Sequence, residues 1–111
     1  MKIRFEKVKN CLVVYPEGEI DHHTSEEMRQ EVDKQFKMSL AKNIVFDFND
    51  ITFMDSSGIG MLIGRYKSAH LMGGRIAVTG VNSDLKKIFT LSGLGRIIKL
   101  FPNVNDAVEN I

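Results

Sequence analysis

The chain has 111 residues, 43% hydrophobic and 26% charged, which suits one packed domain over 1–111 and argues against disorder. Lys+Arg number 15 against 14 Asp+Glu, a formal net charge of +1. That balance excludes the cation surplus of a nucleic-acid binder and the polybasic patch of a membrane-surface protein, so no nucleic acid and no membrane is expected as partner.

The first twenty residues read as two strands. Ile3, Phe5 and then Leu12 to Tyr15 carry the apolar signal, with a turn at Lys9 and Asn10. Cys11 is the single cysteine, so no internal disulfide can form. In its apolar run a free thiol behaves as a small buried hydrophobe, which implies a reducing, cytoplasmic setting. No signal-peptide core and no run of about 18–20 apolar residues is present. Pro16 and Pro102 are expected at element edges.

Thr24, with Glu27 three residues on, has capping-box spacing and predicts a helix start. Asp21 then closes the preceding loop. Met28, Val32 and Phe36 repeat every fourth residue as one buried stripe. Asn43 to Phe48 is short and rich in β-branched and aromatic residues, a strand. The segment from Asn49 to Asp55 turns into a second helix whose Ile59, Leu62, Ile63 and Tyr66 follow i, i+3, i+4, i+7 spacing. That helix ends near Gly73 and Gly74.

Arg75 to Thr79 is the next strand. Asn82 or Ser83 caps a third helix carrying Leu85, Ile88 and Phe89, stopped at Gly93. Ile97 to Phe101 reads as a short strand, and Val104, Ala107, Val108 and Ile111 as the stripe of a last helix. Strands alternating with helices imply an α/β domain, a mainly parallel sheet covered by helices. Functional loops then lie at the carboxyl ends of the strands, at Glu19–Thr24 and Asn49–Gly60.

In FMDSSGIG (53–60), Ser56 and Ser57 fall where a strand hands over to a helix. Unpaired amides and the dipole there tolerate a phosphate. Gly58 and Gly60 keep the backbone open to a partner. Asp-Ser-Ser-Gly is equally ordinary N-cap chemistry. In GEIDHHTSEE (18–27), a metal site on His22 and His23 lacks further ligands, and both read as polar loop residues with one face packed down. A nucleophile elbow would need Gly where Met54 stands, and GIGMLIGRYK lacks the ending of a P-loop. Gly60 and Gly64, with Arg65 and Ser68, reflect either tight packing or a face cleared for another protein. Met61 is expected opposite the buried stripe, as an exposed hydrophobe.

EIDHHT (19–24), FMDSSGIG (53–60), GRYK (64–67), GG (73–74) and KKIFTLSGL (86–94) occur in this order and spacing. Together they resemble the STAS-domain anti-sigma factor antagonists of endospore-forming bacteria, most of all those acting on the anti-sigma factor of sigma-F. The resemblance covers nearly the whole chain and implies a mixed, mostly parallel sheet with helices packed on it. With the catalytic motifs missing and little room for a cofactor pocket, no enzyme activity and no cofactor of the chain's own are expected. By the resemblance, its partners would be an anti-sigma factor serine kinase with bound ATP or ADP, and a PP2C-type phosphatase that reverses its action. The phosphorylated residue of the family is the serine after the aspartate, here Ser56, and its kinase-engaging loop aspartate is Asp21. The expected partner surface comprises Asp21, His22, Thr24, Asp55, Ser57, Gly58, Ile59, Gly60 and Met61. A general-stress antagonist of the same fold is the alternative. A small serine hydrolase using Ser56 with His22 or His23, or a nucleotide-binding enzyme, is a more distant one.

Overall fold

The structure, a computed structural model, describes all residues 1–111. The strands are β1 (Lys2–Val8), β2 (Cys11–Ile20), β3 (Asn43–Asp47), β4 (Ile51–Met54), β5 (Ile76–Thr79) and β6 (Lys99–Phe101). The helices are α1 (His22–Ser39), α2 (Ser56–Leu71), α3 (Ser83–Ser92) and α4 (Val104–Asn110), with one 3₁₀ turn at Leu94–Arg96. The expected mixed, mostly parallel sheet is present. Its order is β1-β2-β3-β5-β6, antiparallel only between β1 and β2, and β4 pairs with β2 off this path.

Strand alternation divides the core between the two faces of the sheet. Leu12, Val14, Ile44, Phe46, Ile76 and Val78 point to the face covered by α1, α2 and α3, where Met28, Val32, Leu62 and Phe89 meet them. Cys11, Val13, Val45 and Ala77 point to the other face, closed by Ala107 with Val104, Val108 and Ile111 around it. Cys11 is 2% exposed, the buried small hydrophobe that its apolar run implies.

Three readings of the sequence are corrected here. Residues 51–54 form a strand instead of leading straight into a helix, because Ile51 and Met54 turn inward while β4 pairs with the end of β2. Pro16 lies within β2, opposite Ile3, and not at its edge. Proline cannot donate to a ladder, and Pro16 falls between Val14, the last partner of β3, and Gly18, the first partner of β4. Finally, α1 starts at His22, so Thr24 lies inside the helix and the cap is Asp21.

Candidate functional site

Two strand ends build the site. β2 and β4 run parallel with Ile20 opposite Met54, and each is followed at once by an aspartate that caps a helix. The amide of Asp55 donates to the carbonyl of Ile20 at 3.0 Å, so the two helix starts are stitched side by side.

At the first start, Asp21 Oδ1 accepts from the amides of His23 (3.0 Å) and Thr24 (2.9 Å). Thr24 Oγ1 in turn accepts from the amide of Asp21 at 2.8 Å, and its one hydroxyl proton lies between the carbonyl of Glu19 at 2.7 Å and Asp21 Oδ1 at 3.0 Å. This is a capping box one turn earlier than the Thr24–Glu27 spacing implied, with Asp21 as cap and Thr24 as its partner. The hydrogen bonds from Thr24 hold the Asp21 carboxyl below its ordinary value, because each favours the charged form. Glu27 is released from capping. It accepts from the terminal amine of Met1 at 2.6 Å and pairs with His23 Nε2 at 3.2 Å. His22 and His23 are both exposed on the first turn of α1, so neither packs a face down.

At the second start, Asp55 accepts from the amide of Ser57 at 2.8 Å. Ser56 is the first residue of α2, and it is exposed; Ser57 is half-buried. Gly58 is buried for a steric reason. A Cβ there would lie 2.3 Å from Met54 Cγ and 3.0 Å from Ile20 Cγ2. The side chains of the two strand ends therefore reach the α2 backbone only because residue 58 has none.

The rest of α2 faces differently from its expected stripe. Gly58, Met61, Leu62, Arg65 and Ala69 are buried, while Ile59, Ile63 and Tyr66 are half-buried against the core. Met61 is 5% exposed, which corrects its assignment to the outer surface. The core-facing arc turns toward α1, which packs along the flank of α2. Gly60 is exposed and Gly64 half-buried, and a Cβ on either would meet nothing within 4 Å. Tight packing therefore does not explain these two glycines.

Arg65 is 6% exposed, and its Nε lies 2.8 Å from Asp33 Oδ1 on α1. The N–H is not aimed at that oxygen, and Nε and Nη1 both lack a hydrogen-bond acceptor in the protein. Burial pushes the Arg65 guanidinium down from its ordinary value, with Asp33 opposing the shift. Two features near the site lie inside motifs read from the sequence, but their placement is not legible there. One is the burial of this arginine; the other is Phe53, 49% exposed on β4 opposite Glu19. An aromatic in an apolar run reads as core until the strand is seen to turn it outward.

Of the nine residues expected to meet a partner, Asp21, His22, Thr24, Asp55, Ser57, Gly58, Ile59 and Gly60 all lie in the opening turns of α1 and α2. Met61 lies there too but is turned inward. No three His, Cys, Asp or Glu side chains converge as a metal site would require, and no helix is long and apolar enough to cross a membrane.

Comparison with known proteins gives the arrangement a family. Residues 2–107 match the STAS domain. The anti-sigma F factor antagonist of Paenibacillus polymyxa is 34% identical over 111 residues, covering 100% of this chain and 95% of the relative. The anti-sigma factor antagonist SpoIIAA in its unphosphorylated form superposes with a TM-score of 0.83 at 28% identity, over 97% of this chain and 94% of that one. The Bacillus cell fate determinant SpoIIAA in its phosphorylated form gives a TM-score of 0.74 at 27% identity, over 97% of each chain. The stitched pair of helix starts thus stands on a STAS domain, and the chain belongs to the family of STAS-domain anti-sigma factor antagonists.

Proposed function

We propose that this chain is a sporulation phospho-switch acting in the cytoplasm. Unphosphorylated, it binds an anti-sigma serine kinase through the first turns of α1 and α2 and so frees sigma factor F. The observation that carries this reading is Ser56, an exposed serine on the first turn of α2 beside the Asp21 cap. Its support is twofold. The full-length relative is an anti-sigma F factor antagonist, and SpoIIAA structures of both phosphorylation states share this fold.

In the reaction, Ser56 Oγ attacks the γ-phosphorus of kinase-bound ATP. The new O–P bond forms as the β–γ bridging bond breaks, ADP leaves, and the hydroxyl proton passes to a base on the kinase. The chain is substrate and not catalyst. A PP2C-type phosphatase reverses the modification by hydrolysis, water taking the phosphoryl group and Ser56 regaining its proton.

Phosphate adds roughly −1.5 to −2 charges at neutral pH. A helix start accommodates this charge with little rearrangement. Its effect falls on the interface, where Asp21 and Asp55 already present negative charge to a nucleotide-loaded partner. Mass spectrometry after incubation with ATP and the cognate kinase tests the assignment. One phosphate mapped to Ser56, absent from Ser56→Ala, is the expected result. An unmodified wild-type chain, or a phosphate that persists in Ser56→Ala, would overturn it.

A further inference from the structure

A groove of about 480 Å³ runs between α1 and α2 along their N-terminal halves. Its walls carry Arg29 and Arg65, with His22 and Ser57 at the end where both helices begin. Three independent features point to what it takes.

The first is Arg65. A guanidinium is charged at any working pH and carries five N–H donors. Buried donors without acceptors are rare and costly. Here Nε and Nη1 are both in that state, on a side chain that lines the groove. Asp33 offsets the charge without satisfying the N–H directions.

The second is the setting of the charges. Glu26, held by Nε and Nη2 of Arg29, and Asp33, 2.8 Å from Arg65 Nε and 3.8 Å from Arg29 Nη1, balance the two guanidiniums, and of these two carboxylates only Glu26 lines the groove. Both helices present their N-terminal, positive ends there.

The third is the pair of glycines on the α2 wall. Gly60 and Gly64 sit inside a helix, where glycine is unfavourable, and no neighbour requires their smallness. What their missing side chains do is leave the groove open.

We propose that this groove is an oxoanion site, in which the unpartnered donors of Arg65 seat a phosphate or carboxylate group between α1 and α2, with Arg29 on the facing wall. Planar guanidinium forks match both kinds of anion, and the open glycine wall admits a group that is itself attached to a larger molecule. Ser56 itself does not line the groove, although its neighbour Ser57 does.

The test is titration of the full chain with inorganic phosphate, against chloride at matched ionic strength. The readout is the NMR signal of the Arg65 Nε–H and the amides of Ser57 and Gly60. Saturable shifts with phosphate and not with chloride are expected. Gly64→Glu, which places a carboxylate in the open space, should weaken phosphate binding at least tenfold without lowering the Tm. Arg75→Gln, outside the groove, should titrate like the wild type. Shifts that follow ionic strength alone, or a Gly64→Glu titration identical to the wild type, would overturn the site. Capture by the anti-sigma partner separates two sources of the anion. Competition by phosphate assigns the anion to a side chain of the partner, and undiminished capture assigns it to free phosphate.

Discussion

The amide of Asp55 donates to the carbonyl of Ile20 at 3.0 Å, and this one bond fixes the start of α2 against the end of β2. Because Asp21 follows Ile20 directly, the two capping aspartates hang from adjacent strand ends. The site is therefore built on two hydrogen-bonded strand ends and not on a free loop; if it docks a partner as proposed, binding carries little ordering cost.

Asp21 should give this site a measurable pH signature. Its folded-state value is lowered, chiefly by the backbone and side-chain hydrogen bonds of Thr24, from an ordinary value of 3.8. A depressed carboxyl contributes stability that is fully present above the unfolded value and is lost as pH falls through the folded one. Asp21→Ala should accordingly melt below the wild type at pH 7, and the gap in Tm should close as the pH is taken from 5 down through about 4 and lower. Melting curves across that range check it; a gap that is constant with pH would mean that the carboxylate charge is not what the cap uses.

Two neighbouring glycines on α2 should respond to alanine in opposite directions. Gly58→Ala forces a methyl to 2.3 Å from Met54 Cγ and 3.0 Å from Ile20 Cγ2. Overpacking of this kind costs about 1–3 kcal/mol, more than the helix-propensity gain of up to about 1 kcal/mol. Gly60→Ala adds a methyl to open space and should stabilise by about 0.5–1 kcal/mol. In urea melts the first midpoint should fall and the second should rise. If both variants rise, the Gly58 contact is relieved by Met54 moving aside, and the packing between the two strand ends and α2 is soft.

Cys11 should be inert while the chain is folded. It is 2% exposed, and burial pushes its thiol up, outweighing the lowering by Asn43 and Lys9. Thiolate is the reactive form. Modification by a disulfide reagent at pH 8 should proceed only at the rate of opening and become fast in denaturant. Immediate stoichiometric labelling of the native protein would show that the α4 face of the sheet is loosely closed.

Much of this architecture is legible from pattern. The stripe Met28, Val32, Phe36 marks α1, NIVFD marks β3, and Asn82 with Gly93 bracket α3 as capping chemistry requires. β4 is not legible, since its burial pattern of two inward ends and two exposed middle residues fits neither alternation nor a buried run. The cap of α1 is misplaced because Thr24 satisfies the spacing rule for a cap as well as for its partner position. Tertiary pairing of Ile20 with Met54 decides between them. Met61 is misassigned because the true inner face of α2 includes Gly58 and Arg65, two residues that add nothing to a hydrophobic period. The glycines of the groove are visible in the sequence, but their purpose is not, because open space and tight packing both call for glycine until the neighbours are known.

The charge at position 56 should govern partner binding without remodelling the chain. Ser56 is exposed, and its helix start rests on Asp55, whose Oδ1 accepts from the amide of Ser57 and whose carbonyl accepts from the amide of Gly58, without the Ser56 hydroxyl. Ser56→Ala should therefore bind the anti-sigma kinase as the unmodified chain does and escape release by phosphorylation. Ser56→Asp places a carboxylate beside Asp55 and Asp21 on the docking face. A tenfold loss of affinity requires only about 1.4 kcal/mol, which like-charge juxtaposition at an interface readily supplies. Calorimetric titration of both variants against the ADP-loaded kinase, with amide spectra to verify that changes stay within residues 20–24 and 54–60, measures the difference directly. Equal affinities of the two variants would remove electrostatics as the basis of the switch. Spectral changes spread across the sheet would mean that the charge acts by reshaping the fold instead.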